Sequence, residues 1–111
     1  MDNNIKKFLF DIKTSIEAIE EFTQGKKNFF DYRNDKLVKR AVERELMIIG
    51  EAIKRVNELD ESLQITDAHK IRGLRNRIVH AYDSVDDPII WEIVINYLPK
   101  LKAEVENYLA A

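Results

Sequence analysis

The chain has 111 residues, 45% of them hydrophobic and 34% charged, which suits one helix-rich globular domain over 1–111 with no room for a separate catalytic module. A net charge of −2 gives no global pull toward nucleic acid, so any such affinity must come from a local patch. With no cysteine there is no disulfide or thiolate-bound zinc, and no apolar run approaches the ~20 residues that span a bilayer. The first ten residues lack a secretory core, and the expectation is a cytoplasmic protein without a membrane partner.

Along the chain, Ile5, Phe8, Leu9, Ile12, Ile16 and Ile19 recur at three- and four-residue intervals and predict a first helix over about Asn4 to Thr23. Asn3 or Asn4 is its expected N-cap and Gly25 its stop. The segment Lys26 to Arg33 reads as a connector whose Phe29, Phe30 and Tyr32 pack back onto the bundle rather than stack on a nucleobase. A second helix is predicted from Asn34 or Asp35 to about Leu59, with Val38, Ala41, Val42, Ile49, Ala52, Ile53 and Val56 as its main stripe. Leu46, Met47 and Ile48 widen that stripe beyond what one neighbour needs, as a surface shared with another copy of the chain would require.

A third helix is expected to start at Thr66 as N-cap, with Asp67 in the first turn, and to end around His80 to Tyr82. Asp86 or Asp87 with Pro88 opens a fourth, whose core stripe is Ile90, Val94, Tyr97, Leu98, Leu101, Val105 and Tyr108. Pro99 falls inside that helix and should kink it. The fold class expected is all-α, an antiparallel four-helix up-and-down bundle.

The chemistry is concentrated in IRGLRNRIVHAY, residues 71 to 82. At about 100° per residue, Ile71, Leu74, Arg75, Ile78 and Tyr82 share one stripe, and Arg72, Gly73, Asn76 and His80 share another, with His69 roughly in line. An arginine on a buried stripe snorkels out to solvent, pairs with a carboxylate such as Glu51, or faces a cleft, where its planar fork can grip a phosphate. A lone helical histidine is usually a surface residue. Here, however, Lys70, Arg72, Arg75 and Arg77 face only Asp67 between Thr66 and His80, so a basic helix stands ready for an anionic ligand in an acidic protein.

Other chemistries fare worse. His69 and His80 stand eleven positions apart, about 16 Å along a helix, too far to share a metal within one chain. Neither a glycine-rich phosphate loop nor a nucleophile elbow is present, and paired carboxylates such as Glu17 with Glu20 or Glu21 read as a solvated face.

The spacing of Arg75, His80 and Tyr82 resembles the signature of the HepT-like ribonuclease toxins of the HEPN superfamily. RELMIIGEAIKRV at 44–56 is similar to that family's second helix, and LRNRIVHAYDSVDDPIIW at 74–91 to its active-site segment and following turn. The resemblance implies a homodimer, with higher oligomers left open, and metal-independent endoribonuclease activity that needs no cofactor. It makes Arg75 and His80 the catalytic pair, with Arg72, Asn76 and Arg77 in support at the RNA. It also implies a toxin–antitoxin pairing, in which a minimal nucleotidyltransferase antitoxin silences the toxin by AMPylation of Tyr82. A second reading is a non-catalytic helical module that binds and regulates such a nucleotidyltransferase.

The residue types suit RNA cleavage without a metal. Histidine can serve as a base near neutral pH, and arginine can stabilise the charge developing on phosphorus. The general acid has no clear owner. On a straight helix Arg75 and His80 point about 140° apart. They converge if the helix loosens after Ile78, if Arg75 uses its full reach, or if a second chain completes the cleft at a two-fold interface.

Overall fold

The computed structural model describes residues 1–26, 28–73 and 87–111. All regular structure among them is helical: α1 (Asn3–Phe22), α2 (Phe29–Arg33), α3 (Lys36–Leu59), the helical residues 68–73 (α4), α5 (Asp87–Glu92), a π turn over Ile93–Tyr97, and α6 (Leu98–Ala110). The all-α class expected from the sequence is therefore present. The described residues depart from four uninterrupted helices in two places. Phe29–Arg33, expected as a connector, forms a helical turn, and the last helix is divided by the π turn.

α1 packs along α3 and α6. Ile5, Leu9, Ile12, Ile16 and Ile19 of α1 meet a core that includes Val42, Leu46, Ile49, Ile53 and Val56 of α3 and Leu98, Leu101 and Val105 of α6. Each side chain so buried contributes roughly 1.5–3 kcal/mol of transfer free energy. The stripes read from the sequence are the buried faces. Met47 and Ile48 are only half-buried, so the widened flank of α3 is not fully covered within the chain.

The helix ends show which capping groups prevail. The cap of α1 is Asp2, whose Oδ1 accepts the Asn4 N–H at 2.6 Å; the expected Asn3 and Asn4 both lie inside the helix. An aspartate one residue earlier offers the same acceptor with a charge that suits the helix dipole. Gly25, at φ 87°, takes the left-handed conformation beyond the α1 terminus. Asp35 caps α3 as expected, accepting the Val38 N–H at 3.0 Å and pairing with Lys26 Nζ at 2.8 Å. That lysine is the main cause of the Asp35 carboxyl lying below its ordinary range.

Thr66 does not cap the third helix. Its N–H and hydroxyl donate to the two oxygens of Glu104, at 2.9 and 2.6 Å, and Asp67 takes a left-handed φ of 54° before the helix begins at 68. A carboxylate on α6 that accepts two bonds outcompetes a local cap. The Tyr97 and Tyr108 hydroxyls donate to the carbonyls of Thr66 and Gln64, so the loop before α4 is fastened to the last helix at three points. Pro99 has no N–H to return to Ile95, and the preceding residues form a π turn in which the Leu98 N–H reaches the Ile93 carbonyl.

Candidate active site

The motif residues Arg75, Asn76, Arg77, His80 and Tyr82 lie outside the described residues. The residues on either side of the segment they occupy are described. On the N-terminal side, Ile71 is fully buried and Arg72 and Gly73 are exposed, which is the division into an apolar and a polar stripe that the helical wheel predicts. His69 and Lys70 are exposed too, and Lys70 Nζ lies 3.7 Å from Asp67. Of the expected basic cluster, Lys70 and Arg72 therefore stand at the surface. Glu51, considered as a partner for Arg75, is bonded by Arg55 Nε at 3.2 Å.

On the C-terminal side stands α5, from Asp87 to Glu92. Ile90 is fully buried, Trp91 stacks on Tyr32 with centroids 5.2 Å apart and planes 26° apart, and Lys39 Nζ meets Asp87 Oδ2 at 2.8 Å. α2 and α3 thus grip α5, whose first residue is five positions past Tyr82 in the sequence. Tyr32 is fully buried, and its hydroxyl finds no hydrogen-bond partner among the described residues. Burial, then the charges of Glu43 and Asp87, push that phenol well above its ordinary range. Burial and Asp87 likewise push the Glu43 carboxyl up, against the opposing pull of Arg40 and Lys39.

Sequence reasoning singled out Tyr32 only as an apolar contact and missed Lys39, Glu43 and Asp87 as a cluster. Lys39 and Glu43 stand four apart on α3, which was a legible spacing, but no local pattern joins them to Asp87 across the fold. Phe30, expected to pack inward, is 64% exposed; in a helix of five residues only one aromatic face, that of Tyr32, reaches the core centre.

Among the described residues no group of three or more His, Asp and Glu side chains could hold a metal ion, and no helix is long and apolar enough to cross a membrane.

The model of the family described as ribonuclease HepT-like matches residues 12–108. A Methanocaldococcus jannaschii protein named as a candidate RNase is 36% identical over 104 residues, covering 93% of this chain and 94% of its own length. A Thermococcus cleftensis protein named as a candidate ribonuclease HepT is 36% identical over 108 residues, covering 96% of this chain and 97% of its own. Among solved structures, a tri-AMPylated Shewanella oneidensis HEPN toxin in complex with an MNT antitoxin superposes with a TM-score of 0.78 at 20% identity, over the whole of both chains. At that identity the likeness speaks for the fold alone. The match over 12–108, together with relatives above 30% identity along nearly their whole length, shows that the chain belongs to the HepT-like ribonuclease family.

Proposed function

We propose that the chain is the toxin of a toxin–antitoxin pair, an endoribonuclease that cleaves RNA without a metal and is silenced by AMPylation of Tyr82. The observation that carries this reading is family membership over 12–108, a span that includes the whole of LRNRIVHAYDSVDDPIIW. The names of the relatives and the HEPN toxin likeness support it.

In this mechanism His80 takes the proton of a ribose 2′-hydroxyl, whose oxygen attacks the adjacent phosphorus. The bond from phosphorus to the 5′-oxygen breaks, leaving a 2′,3′-cyclic phosphate, and the departing 5′-oxygen takes a proton from water to become a hydroxyl. Arg75 binds the non-bridging oxygens as charge builds on them, and Arg72, Asn76 and Arg77 hold the strand. AMP on Tyr82, two residues past His80, blocks by volume and by negative charge where the substrate phosphate sits. The four-helix bundle pairs into a homodimer that lets Arg75 and His80 of two chains converge. The half-covered Met47 and Ile48 on α3 support such a shared surface. The partner is a minimal nucleotidyltransferase antitoxin, as the complex formed by the Shewanella toxin suggests.

The test is growth and RNA integrity after inducing the wild-type chain, His80→Ala and Arg75→Ala without any antitoxin. Arrest with degraded RNA from the wild type alone supports the reading. Soluble protein from every variant with no arrest and no cleavage in vitro sinks it, in favour of the non-catalytic partner of a nucleotidyltransferase.

A further inference from the structure

A groove of about 510 Å³ runs between α4 and the helix formed by α5, the π turn and α6. Its volume lies within the ~300–1,000 Å³ of pockets that take small organic ligands. Ile93 and Tyr97 form a closed apolar floor, 6% and 7% exposed, and Tyr97 is fixed in place by its bond to the Thr66 carbonyl. Above that floor the two walls carry polar groups. On one wall stand Asp67, His69 and Lys70; on the other Glu92, Asn96 and Lys100 recur every four residues and form a row along the helix, all of them exposed. Gly73 also lines the α4 wall; a Cβ there would meet nothing within 4 Å, and in the sequence it stands two positions before Arg75. The groove's lining therefore reaches to within two residues of the motif arginine along the sequence.

We infer that this groove is a nucleotide subsite, binding the RNA strand beside the phosphate that is cut. This rests on the ribonuclease reading and adds to it where the strand lies. A nucleotide needs an apolar surface for the base plane, donors and acceptors for the base edge, and cations for the flanking phosphates, and the groove has each. The floor of Ile93 and Tyr97 takes the base. The Asn96 amide offers a donor and an acceptor at its edge, and the Glu92 carboxylate accepts from an exocyclic amino group. Lys70 and Lys100 supply charge for phosphates. Lys70 is free to exchange partners, since an exposed pair at 3.7 Å with Asp67 holds it weakly, and Lys100 has no ion pair among the described residues. Glu92 repels phosphate and stands at the base end of the row, while toward the other end Lys70 and Lys100 outnumber Asp67, which places the sugar–phosphate backbone by the lysines.

The experiment measures binding of a fluorescein-labelled single-stranded oligoribonucleotide of about ten nucleotides to the full chain carrying His80→Ala, across a salt series. Adding Lys70→Ala with Lys100→Ala is expected to weaken binding about ten-fold at moderate salt and to make the plot of log K against log salt shallower by roughly 1.4, two single-strand phosphate contacts. Asn96→Leu is expected to weaken binding without changing that slope. Removing the same charge elsewhere, with Lys6→Ala and Lys54→Ala, should leave affinity within about two-fold, which separates a site from net charge. If the Lys70/Lys100 variant binds RNA like its parent, with parallel salt plots, the subsite is overturned even though the wild type cleaves RNA. Loss of nucleotidyltransferase binding with RNA affinity intact overturns it in favour of a protein contact. If the wild type neither binds nor cleaves RNA, the ribonuclease reading itself has failed.

Discussion

Lys39 Nζ and Asp87 Oδ2 are 2.8 Å apart, with side chains only 25% and 20% exposed, and they join the first turns of α3 to the residue at which α5 begins. An ion pair this shielded is costly to halve, because the remaining charge keeps its desolvation and loses its partner. Lys39→Ala would leave Asp87 facing Glu43, a like charge already close enough to raise its carboxyl. The expected loss is on the order of 1–3 kcal/mol, against less than about 0.5 for the exposed Lys36→Ala. Urea denaturation of both variants checks this, and equal midpoints would refute it. Since Asp87 lies five positions past Tyr82 in the stretch that resembles the family's active-site segment and following turn, Lys39→Ala should also slow RNA cleavage more than Lys36→Ala does.

Glu43 titrates against its surroundings. Burial and Asp87 raise its carboxyl above the ordinary 4.5, while Arg40 and Lys39 pull the other way and the Tyr32 phenol lies close by. The folded chain thus holds a proton that the unfolded chain has already released over the interval between the two values. Stability falls as pH rises through that interval, and the penalty persists above it. Glu43→Gln is therefore expected to be more stable than wild type at neutral pH, and the advantage should shrink as pH falls through the carboxylate range. Denaturation at about pH 4 and pH 7 reads the difference. An advantage of the same size at both values would show that the substitution acts through packing and not through charge.

Pro99 is tolerated because the π turn before it absorbs the missing donor. Pro99→Ala supplies an N–H for the Val94 or Ile95 carbonyl and a better helix former near the start of α6. The gain is expected to be positive but well under the ~3 kcal/mol that proline costs in a helix interior, since the chain has already adapted. The denaturation midpoint should rise with no change in the steepness of the transition. A fall in the midpoint would mean that the π turn is held by packing of Val94 and Tyr97 and not by the proline.

The helices were legible where period and caps agreed. The stripe of α1 and the span of α3 from an Asp35 cap to Leu59 are both dictated by neighbouring residues, which is the information a linear pattern holds. Thr66 was misread because its competitor, Glu104, stands 38 positions away, and the Lys39–Asp87 pair was missed for the same reason. Phe30 went astray because composition alone cannot say which of three aromatics a single helical turn will aim at the core. In the motif segment, which lies outside the described residues, the residue types support the proposed chemistry, while the spacing of Arg75 and His80 leaves open whether one chain or two would complete it.

Tyr32 offers the sharpest test of how the helix after the motif is seated. Its ring is fully buried against Trp91, and its hydroxyl is buried without a partner among the described residues, near the carboxylates of Glu43 and Asp87. The ring and the hydroxyl should therefore act in opposite directions. Tyr32→Ala removes the stack and opens a cavity, at a cost of ~3–5 kcal/mol. Tyr32→Phe keeps the ring and removes a polar atom whose desolvation no bond repays, so it should be neutral or stabilising by up to about 1–2 kcal/mol. Trp91 is the chain's one tryptophan, so its emission during unfolding reports on this stack directly. A Tyr32→Phe variant that loses stability with unchanged folded-state emission would show that the hydroxyl is bonded after all, and would make it a structural tie to the motif segment.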